Sequence, residues 1–275
     1  MGALDDKVAV VAGASRGIGK GIALELGLAG AHVVVAGRTL RAGPDQSGSL
    51  AETVAAIEDA GGTATAVRCD LVEPDEVEAL FEVVAAEHGR LDVLVNSVFN
   101  ASAFGASIGR RFWELPVSIW EEVVDVGTKS AYLASAYATP LLLETGGGLI
   151  ANVSGRGAER HRYNVAYGVG KAALDKMTRD MATELADLGV AVVSLWPNVT
   201  RTENIDASAA RDPAAVAAFG DLDLLETPRY SGRAVVALAG APDRMARSGG
   251  RYWVAELAAA YGFTDEHGRD HPLPT

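Results

Sequence analysis

The sequence predicts a single doubly wound α/β domain, in which helices cover both faces of a parallel sheet. Short runs rich in valine alternate with longer stretches of helical periodicity along all 275 residues. The short runs are almost continuously apolar, as strands are when both faces of a parallel sheet are covered. Because no repeat or linker divides this alternation, we expect residues 1–275 to form one domain with right-handed crossovers.

Seven apolar runs predict the strands of this sheet. In chain order they are KVAVVA (7–12), HVVVA (32–36), TATAVR (63–68), LDVLV (91–95), GLIANV (148–153), VAVVSL (190–195) and RYWVA (251–255). The stretches between them place apolar residues three and four positions apart, which predicts helices. Examples are KGIALELGLAG, DEVEALFEVVAAEHG and SIWEEVVDVGTKSAYLASAYATPLLLE.

Three segments interrupt the alternation, and each follows a predicted strand. Residues 37–48 are predicted as a polar turn, residues 97–117 as a long loop, and residues 197–230 as a loop with a helical flap at DPAAVAAFG. Ligands of open α/β sheets bind beyond the carboxyl ends of the strands. Because loops of this length are usually functional, we expect residues 97–117 and 197–230 to surround a substrate.

The composition argues against several classes of function. A net charge of −12 disfavours a nucleic-acid partner, because binding to phosphates needs a basic surface. No run of about 18 uncharged apolar residues predicts a membrane span. The single cysteine, Cys69, leaves no internal disulfide and is expected to be a buried thiol. The acidic start, MGALDDKVAV, lacks the features of a signal peptide, so the expected location is the cytoplasm.

A glycine motif follows the first predicted strand, in AGASRGIGKGIA. Gly13 permits a turn, Gly17 lets the backbone approach a pyrophosphate, and Gly19 lets the next helix pack closely. The free amides and partial positive charge at the start of that helix attract a phosphate. In this position between a strand and a helix, the motif predicts a dinucleotide site.

Two arginines indicate which dinucleotide is bound. NAD-dependent enzymes of this architecture carry an acid at the end of the second strand, but the sequence here is AGRTLR. Arg38 lies where the cofactor ribose is expected, and Arg16 lies in the glycine loop. Because two guanidinium groups match a 2′-phosphate, we predict NADP(H).

Tyr167 and Lys171 are four residues apart in YGVGK and therefore share one face of a helix. Together with the glycine motif, Asp70 in RCDL, and Ser154 thirteen residues before Tyr167, they resemble the motifs of the short-chain dehydrogenase/reductase family. The resemblance covers essentially the whole chain, and GRLDVLVN, FWELP, YGVGKAALDK, VSLWP and AAAYGFTDEHGR resemble one subgroup of that family. It implies a Rossmann sheet of seven parallel strands in the order 3-2-1-4-5-6-7.

The resemblance also implies further cofactor contacts and an assembly. Besides the glycines and arginines, the implied cofactor residues are Ser15, Ile18, Asp70, Leu71, Asn96, Ser97, Tyr167, Lys171, Pro197, Val199 and Thr202. The implied assembly is a homodimer or homotetramer, formed through two helices. Their apolar faces carry Leu133, Tyr137, Leu141, Leu174, Met181 and Leu185, which fit an interface and a core equally well.

The tyrosine and lysine suggest acid–base chemistry. A phenol has a pKa near ~10, and an ammonium within about 4–6 Å favours its ionised form. We therefore expect Lys171 to lower the pKa of Tyr167 towards the working pH. The resemblance implies that Tyr167 transfers the proton, that Ser154 hydrogen-bonds the substrate oxygen, and that Lys171 hydrogen-bonds the nicotinamide ribose. Tyr163 does not fit the family interval from Ser154 and is expected to line the pocket.

Three positions depart from the family pattern. Gly127 stands where the family usually has an asparagine that supports a proton relay. The relay needs a backbone carbonyl, which glycine keeps, so we expect an altered but working relay. NSVF at 96–99 and Pro197-Asn198 replace the commoner NNAG and PG, which narrows the nicotinamide side of the pocket.

The predicted substrate pocket is mainly aromatic. Its expected members are Phe99, Phe104, Trp113, Arg156 and Tyr163, and Phe112 and Trp196 lie at the same edge. A basic patch nearby either steers an anionic substrate or is solvated, and we favour solvation; it consists of Arg110, Arg111, Arg156, Arg160, His161 and Arg162. In the C-terminal HGRDH, the two histidines have a metal-binding spacing, but the proline-flanked tail predicts no metal site.

These features predict an NADPH-dependent carbonyl reductase or alcohol dehydrogenase that acts on a lipophilic ketone or aldehyde. Two alternatives remain open at this point. One is a 3-oxoacyl thioester reductase, which an anion requirement would reveal. The other is an NADP(H)-binding protein without turnover, for which Gly127 and NSVF are the indications.

Overall fold

Seven parallel strands form one sheet in the computed structural model, which describes residues 2–43 and 47–274. The strand order is 3-2-1-4-5-6-7, which confirms the doubly wound fold predicted from the sequence. The strands are β1 (Val8–Ala12), β2 (His32–Gly37), β3 (Thr63–Arg68), β4 (Val93–Asn96), β5 (Gly148–Val153), β6 (Val190–Trp196) and β7 (Arg251–Trp253).

Ten α-helices are present among the described residues. They are α1 (Gly17–Leu28), α2 (Leu50–Asp59), α3 (Pro74–His88), α4 (Ala101–Ser107), α5 (Val126–Glu144), α6 (Val165–Glu184), α7 (Glu203–Arg211), α8 (Pro213–Val216), α9 (Pro228–Gly240) and α10 (Val254–Tyr261). A π-helical turn, Trp120–Asp125, leads directly into α5.

Each face of the sheet supports a separate hydrophobic core, because successive strand residues point to opposite faces. One core joins Val11 and Val33 to α1, α2, α9 and α10, through the buried side chains Ile22, Leu26, Leu50, Ile57, Tyr230, Leu238 and Leu257. The other joins Val10 and Val34 to α3, α5 and α6, through Val77, Leu80, Phe81, Ala138, Leu142, Ala182 and Leu185. The helices therefore cover both faces, as the continuously apolar strands require.

Asp92 fastens the two central strands at their amino ends. Its carboxylate accepts hydrogen bonds from the Lys7 Nζ at 3.1 Å and from the Val8 amide at 3.0 Å, at the start of β1. Arg90 adds a second cation, with its Nε 2.9 Å from the same carboxylate. The register of β1 with β4 follows directly, with Ala9 opposite Val93.

Cys69 is fully buried at the end of β3, as predicted. Burial raises the pKa of its thiol to about 12, and the neighbouring carboxylates of Glu76 and Asp70 add to that rise. The thiol therefore stays protonated and packs as a small apolar group.

The structure corrects several predicted boundaries. Residues 254–255 belong to α10 and not to β7, because the Glu256 side chain accepts a hydrogen bond from the Trp253 amide at 2.8 Å and begins a helix there. The predicted loop at 97–117 contains α4. The predicted flap at 212–220 is helical in α8, but α7 was not predicted.

The predictions of a polar turn at 37–48 and of no membrane span can be compared with the structure only over the described residues. Residues 44–46 of the predicted turn at 37–48 lie outside the described residues. Within the described ranges, none of the helices combines the length and the apolar character that crossing a membrane requires.

Candidate active site

The predicted catalytic residues meet at the carboxyl edge of the sheet. Ser154 directly follows β5, and Tyr167 and Lys171 lie one turn apart on α6. Asn164 caps α6: its Oδ1 accepts a hydrogen bond from the Tyr167 amide at 2.9 Å. Its Nδ2 donates to the Ser107 Oγ at 2.7 Å, which ties α4 to the start of α6.

Lys171 is buried behind the tyrosine. Its Nζ donates a hydrogen bond to the Val153 carbonyl at 3.0 Å, and lies 5.8 Å from the centre of the Tyr167 ring and 5.2 Å from that of Phe99. Burial lowers the pKa of the Lys171 ammonium to about 8, and the negative charge of Asp175 opposes this shift. The ammonium is thus charged at neutral pH and titrates just above it.

The pKa of Tyr167 differs from the predicted direction. Burial raises it to about 12; the neighbouring Tyr163 adds to the rise, and the Arg162 charge opposes it. The expected lowering by Lys171 is absent because the ammonium faces the Val153 carbonyl and not the phenol. At neutral pH the phenol therefore carries its proton, the form that a proton donor needs.

Ser154 lies beside the phenol but bonds to the helix. Its Oγ donates a hydrogen bond to the Lys171 carbonyl at 3.0 Å. The adjacent Gly155 is so close that a Cβ built there would lie 3.2 Å from the Tyr167 hydroxyl. The Ser154 turn and the phenol are therefore in contact, with the serine hydroxyl directed to α6.

Three aromatic rings surround the Tyr167 phenol, and with it they form what we call the aromatic cluster: Phe99, Phe104, Tyr163 and Tyr167. Phe104 lies 5.0 Å from Tyr167 and 4.9 Å from Tyr163, between ring centres. Tyr163 lies 5.2 Å from Tyr167, and Phe99 lies 5.1 Å from Phe104. The structure thus brings together three of the aromatic residues that the sequence predicted for the pocket.

Two predicted tryptophans do not join this cluster. Trp113 is 62% exposed and contacts Phe112 at 5.1 Å, so it lies on the surface beyond α4. Trp196 is buried, and its Nε1 donates to the Asp175 carboxylate at 3.2 Å. Neither tryptophan contacts the aromatic cluster, because the segment that carries Trp113 turns outward and Trp196 points into the core.

A narrow cleft opens beside the phenol. Tyr163, Tyr167, Trp253 and the loop after β6 line it. Arg156 and Arg162 line the same cleft. Tyr163 is held at φ 64°, a left-handed conformation that is rare for a tyrosine and that often marks a functional site.

In the loop between β1 and α1, which we call the cradle, two glycines are packed so closely against backbone that a side chain would not fit. Gly13 has φ 87°, and a Cβ there would approach the Ser97 carbonyl to 2.7 Å. A Cβ at Gly19 would collide with the Gly13 carbonyl. The first turn of α1 contains no acidic residue, so its amides present a positive site.

A carboxylate already occupies the position of an anion at this helix. The Gly17 amide donates a hydrogen bond of 2.8 Å to the Glu203 carboxylate, from the first residue of α7. Thr202 lies against Gly17, with its methyl 3.3 Å from the position of a Cβ there. The cradle and its carboxylate fit the pyrophosphate of a dinucleotide, since an anion is bound at the place where that group is expected.

The remaining predicted cofactor residues line the same edge or support it. Arg16 donates to the Gly48 carbonyl at 3.5 Å, and Arg38 is exposed at the end of β2. Asn96 is buried and donates to the Asn152 Oδ1 at 2.9 Å. The others are placed as follows: Ser15, Ile18, Asp70 and Ser97 are half-buried at strand ends or in the glycine loop, Leu71 is buried, and Pro197 and Val199 line the cleft.

The C-terminal histidines have a structural explanation. HGRDH follows α10 and is not helical. The His271 ring lies 3.1 Å from the carboxylate of the buried Asp265, and the His267 amide donates to the same carboxylate at 2.9 Å. In the described part of the chain, no group of three potential ligands is placed to hold a metal ion.

With the geometry established, comparison with known proteins identifies the family. The family model for short chain dehydrogenases matches residues 7–212. The chain belongs to the short-chain dehydrogenase family. Members of the short-chain dehydrogenase family are oxidoreductases that use a nicotinamide cofactor, which agrees with the dinucleotide cradle described above.

Two curated relatives carry the name dehydrogenase/reductase SDR family member 1. The Mus musculus protein is 42% identical over 273 residues, which cover 96% of this chain and 84% of the relative. The Homo sapiens protein is 40% identical over 276 residues, which cover 97% and 85% of the two chains. The subgroup resemblance expected from the sequence is therefore confirmed within the short-chain dehydrogenase family.

A solved structure shares both the fold and part of the sequence. It is 7 alpha-hydroxysteroid dehydrogenase complexed with NADH and 7-oxo glycochenodeoxycholic acid. The TM-score is 0.72 with 25% identity, and the match covers 91% of this chain and 93% of that chain. The short-chain dehydrogenase fold of this chain thus has a structural relative that holds a nicotinamide cofactor.

Sequence reasoning missed some residues that build this site. Glu203, Asp175 and Glu226 act through contacts between distant segments, which no local pattern reveals. Asn164 was detectable, because an asparagine just before a helical pattern is a common N-cap.

Proposed function

We propose that this chain is an NADPH-dependent carbonyl reductase that acts on lipophilic ketones or aldehydes. The single observation that supports the proposal is the protonated Tyr167 phenol, which lines an aromatic cleft with the Lys171 ammonium behind it. Apolar walls with few polar groups suit a lipophilic carbonyl compound. In the reverse direction, the same site is an alcohol dehydrogenase.

Two positive charges near the expected position of the cofactor ribose support a preference for NADP(H). Arg16 and Arg38 lie at the glycine loop and at the end of β2, and the sequence AGRTLR offers no acid there. A 2′-phosphate pairs with such guanidinium groups, whereas an acidic side chain would repel it. When it is bound, the cofactor supplies the hydride.

The proton chemistry follows from the two titrating side chains. Tyr167, with a pKa raised to about 12 by burial, donates its proton to the carbonyl oxygen of the substrate. The Lys171 ammonium, whose pKa burial lowers to about 8, stabilises the phenolate that remains once its Nζ turns from the Val153 carbonyl to the phenol oxygen. Ser154 supplies a second hydroxyl beside the same oxygen once it turns from the Lys171 carbonyl. We therefore expect the rate of reduction to fall as the pH rises through about 8.

We also propose an assembly for this chain. A homodimer or homotetramer formed through α5 and α6 is supported by apolar side chains that stay at least partly exposed there, namely Tyr132, Leu133, Tyr137 and Met181. Leu141, Leu174 and Leu185 are buried in the chain itself. A cytoplasmic location remains a prediction from the sequence.

Consumption of NADPH and NADH over a panel of ketones, aldehydes and 3-oxoacyl thioesters tests the proposal. We expect NADPH-linked turnover of lipophilic ketones or aldehydes. Tyr167→Phe should lower kcat by at least about 100-fold, because it removes the acid, and should leave NADPH binding intact. The matched control is Tyr132→Phe, at an exposed tyrosine on α5.

Each contrary result identifies one of the alternatives. A clear preference for the thioesters would replace the proposal with a 3-oxoacyl reductase. Tight NADPH binding without turnover of any compound would indicate a cofactor-binding protein, and Gly127 would then be the first residue to restore to asparagine.

A further inference from the structure

The basic patch predicted from the sequence divides into two groups in the structure. Some of its arginines have partners on the surface: Arg110 donates to the Glu114 carbonyl, and Arg111 stacks on Trp113 at 5.2 Å. Arg160 is exposed. Arg156 and Arg162 line the cleft that holds the Tyr167 phenol.

Arg162 is held in place by an aromatic ring and not by a carboxylate. Its guanidinium lies 5.0 Å from the centre of the Tyr163 ring, and Tyr163 in turn lies 5.2 Å from Tyr167. Within residues 2–43 and 47–274, Arg162 forms no ion pair. By comparison, the nearby Arg251 is paired with Glu159 at 2.6 Å.

The backbone conformation at Tyr163 sets the orientation of the Tyr163 ring and of the Arg162 guanidinium beside it. The left-handed φ of 64° is unfavourable for a residue with a Cβ, and such strain persists where the surrounding structure enforces it. Here the Tyr163 ring is fixed by edge-on packing against Phe104 and Tyr167. The guanidinium of Arg162 therefore stands one ring away from the proton donor.

A guanidinium without a carboxylate partner, beside an apolar cleft, recognises a planar anion. Arginine binds carboxylates through two parallel hydrogen bonds, and the bonds strengthen where water is excluded. Trp253, which also lines the cleft, is aromatic and suits a lipophilic body. The cleft thus combines a proton donor, an apolar wall and a fixed cation.

We propose that the substrate is a lipophilic carbonyl compound that carries a free carboxylate, and that Arg162 is the residue that selects it. Arg156 contributes a second positive charge on the same side of the cleft. The proposal rests on the proposed reductase activity for its catalytic part. The carboxylate binds one ring's width from Tyr167, so the chain that joins ketone and carboxylate must span that separation.

The test uses phenyl ketones with two, three or four methylene groups between the carbonyl and a carboxylate, each paired with its methyl ester. At the best length, we expect kcat/KM of the acid to exceed that of the ester by about 10-fold or more, mainly through KM. Arg162→Gln should bring this ratio near one, mainly by raising KM for the acid. Arg162→Lys keeps the positive charge but cannot form two parallel hydrogen bonds to a carboxylate, so it should give an intermediate ratio.

Arg160→Gln is the matched control, since it removes the same charge from an exposed position two residues away. It should leave the ratio unchanged. A ratio of one or less at every length overturns the proposal, as does a preference that survives Arg162→Gln. Faster turnover of a 3-oxoacyl coenzyme A than of every free acid would also overturn it.

A binding measurement separates this proposal from the reductase activity. An unreactive phenylalkanoate, which lacks the ketone, is titrated against the full chain with and without NADPH while tryptophan fluorescence is recorded. Trp253 lines the cleft and reports its occupancy. Binding that Arg162→Gln abolishes supports the anion site even if no ketone is reduced, and the absence of binding overturns it.

Discussion

Glu226 links the loop after β6 to the rest of the molecule through its side chain and its backbone. Its buried carboxyl accepts a hydrogen bond from the Asn198 amide at 3.0 Å. Its own amide donates to the Val199 carbonyl at 3.2 Å, and its carbonyl accepts from the Arg201 amide at 2.8 Å. Burial raises the pKa of Glu226 to about 7 from an ordinary value of 4.5, and the Asn198 amide opposes that shift.

This raised pKa makes stability depend on pH. Between pH 4.5 and about 7 the folded carboxyl holds its proton while the unfolded one has lost it, so the folded state loses stability as the pH rises. We expect a loss of about 3 kcal/mol across this window in the wild type. Glu226→Gln keeps an acceptor for Asn198 and should lack this loss.

Urea denaturation of both proteins at pH 5 and pH 8 measures the difference. The variant should gain on the wild type at the higher pH. Glu78→Gln removes an exposed carboxylate and serves as the control. Equal pH dependence in the wild type and Glu226→Gln would contradict the buried, protonated carboxyl.

Tyr167 and Gly13 show which properties of single residues a sequence can and cannot predict. The cleft position of Tyr167 and the positive φ of Gly13 follow the predicted motif positions, because each rests on local spacing. The pKa of Tyr167 was predicted in the wrong direction, since it depends on burial by Phe99 and Phe104 from another segment. The four-residue spacing identifies Tyr167 and Lys171 as a pair, whereas the residues that bury them determine their pKa values.

Among the secondary-structure elements, α7 covers the proposed cofactor site at the start of α1 and has no buried residue to anchor it in a core. Its first residue, Glu203, bonds to the amide of Gly17. A pyrophosphate at the start of α1 and a carboxylate compete for the same positive site. If the proposed cofactor site at the start of α1 is correct, cofactor binding displaces Glu203 from Gly17.

Glu203→Gln should strengthen NADP(H) binding by about 5-fold, because a neutral amide competes less well than a carboxylate for that site. Fluorescence titration of the full chain with NADPH measures the dissociation constant directly. Asp206→Asn makes the same charge change on α7, where Asp206 pairs with Arg201 at 2.8 Å and not with Gly17. The competition would be refuted by binding in Glu203→Gln that is unchanged or weaker.

Elements were predictable to the extent that their stabilisation is local. The near-continuous valines of β1 and β2 predicted both strands with small errors at the ends. The small residues of α4 show no helical periodicity, and its local signal is Asn100, whose Oδ1 accepts a hydrogen bond from the Ala103 amide at 3.1 Å. The bond between Asn164 and Ser107, which ties α4 to α6, joins distant segments and has no signal in the local sequence.

For the molecule as a whole, the C-terminal tail is organised around the buried carboxylate of Asp265, and Arg233 adds a hydrogen bond to the Asp265 carbonyl at 2.8 Å. Asp265 is fully buried and accepts hydrogen bonds from the Arg269 amide and Nε, each at 2.8 Å, in addition to its bonds with His267 and His271. Burial alone would raise the pKa of Asp265, but the hydrogen bonds from Arg269, His271 and His267 hold it at about 2. The tail is thereby fixed against α9, where His271 lies 4.8 Å from Tyr230.

Asp265→Asn should destabilise the protein by about 3 kcal/mol at pH 7, because it leaves the partners of a buried charge unpaired. Because the pKa of Asp265 is lowered from 3.8 to about 2, its ionised carboxylate contributes fully to stability at pH values above 3.8. This stability is lost as the pH falls towards 2. Urea denaturation at pH 7 measures it, with the exposed Asp270→Asn as the control. Equal stability of the two variants would show that the tail is held by other contacts.

The pairing of β1 has a consequence for how the chain folds. β1 pairs with β2 on one edge and with β4 on the other, although β4 comes much later in the sequence. During synthesis, the valines of β1 therefore keep one open edge until the ribosome has passed Asn96. Only then can Asp92 reach Lys7 and close it. Pairings between such distant segments form slowly and leave apolar strands exposed, so mispairing competes with correct folding of the nascent chain during this interval.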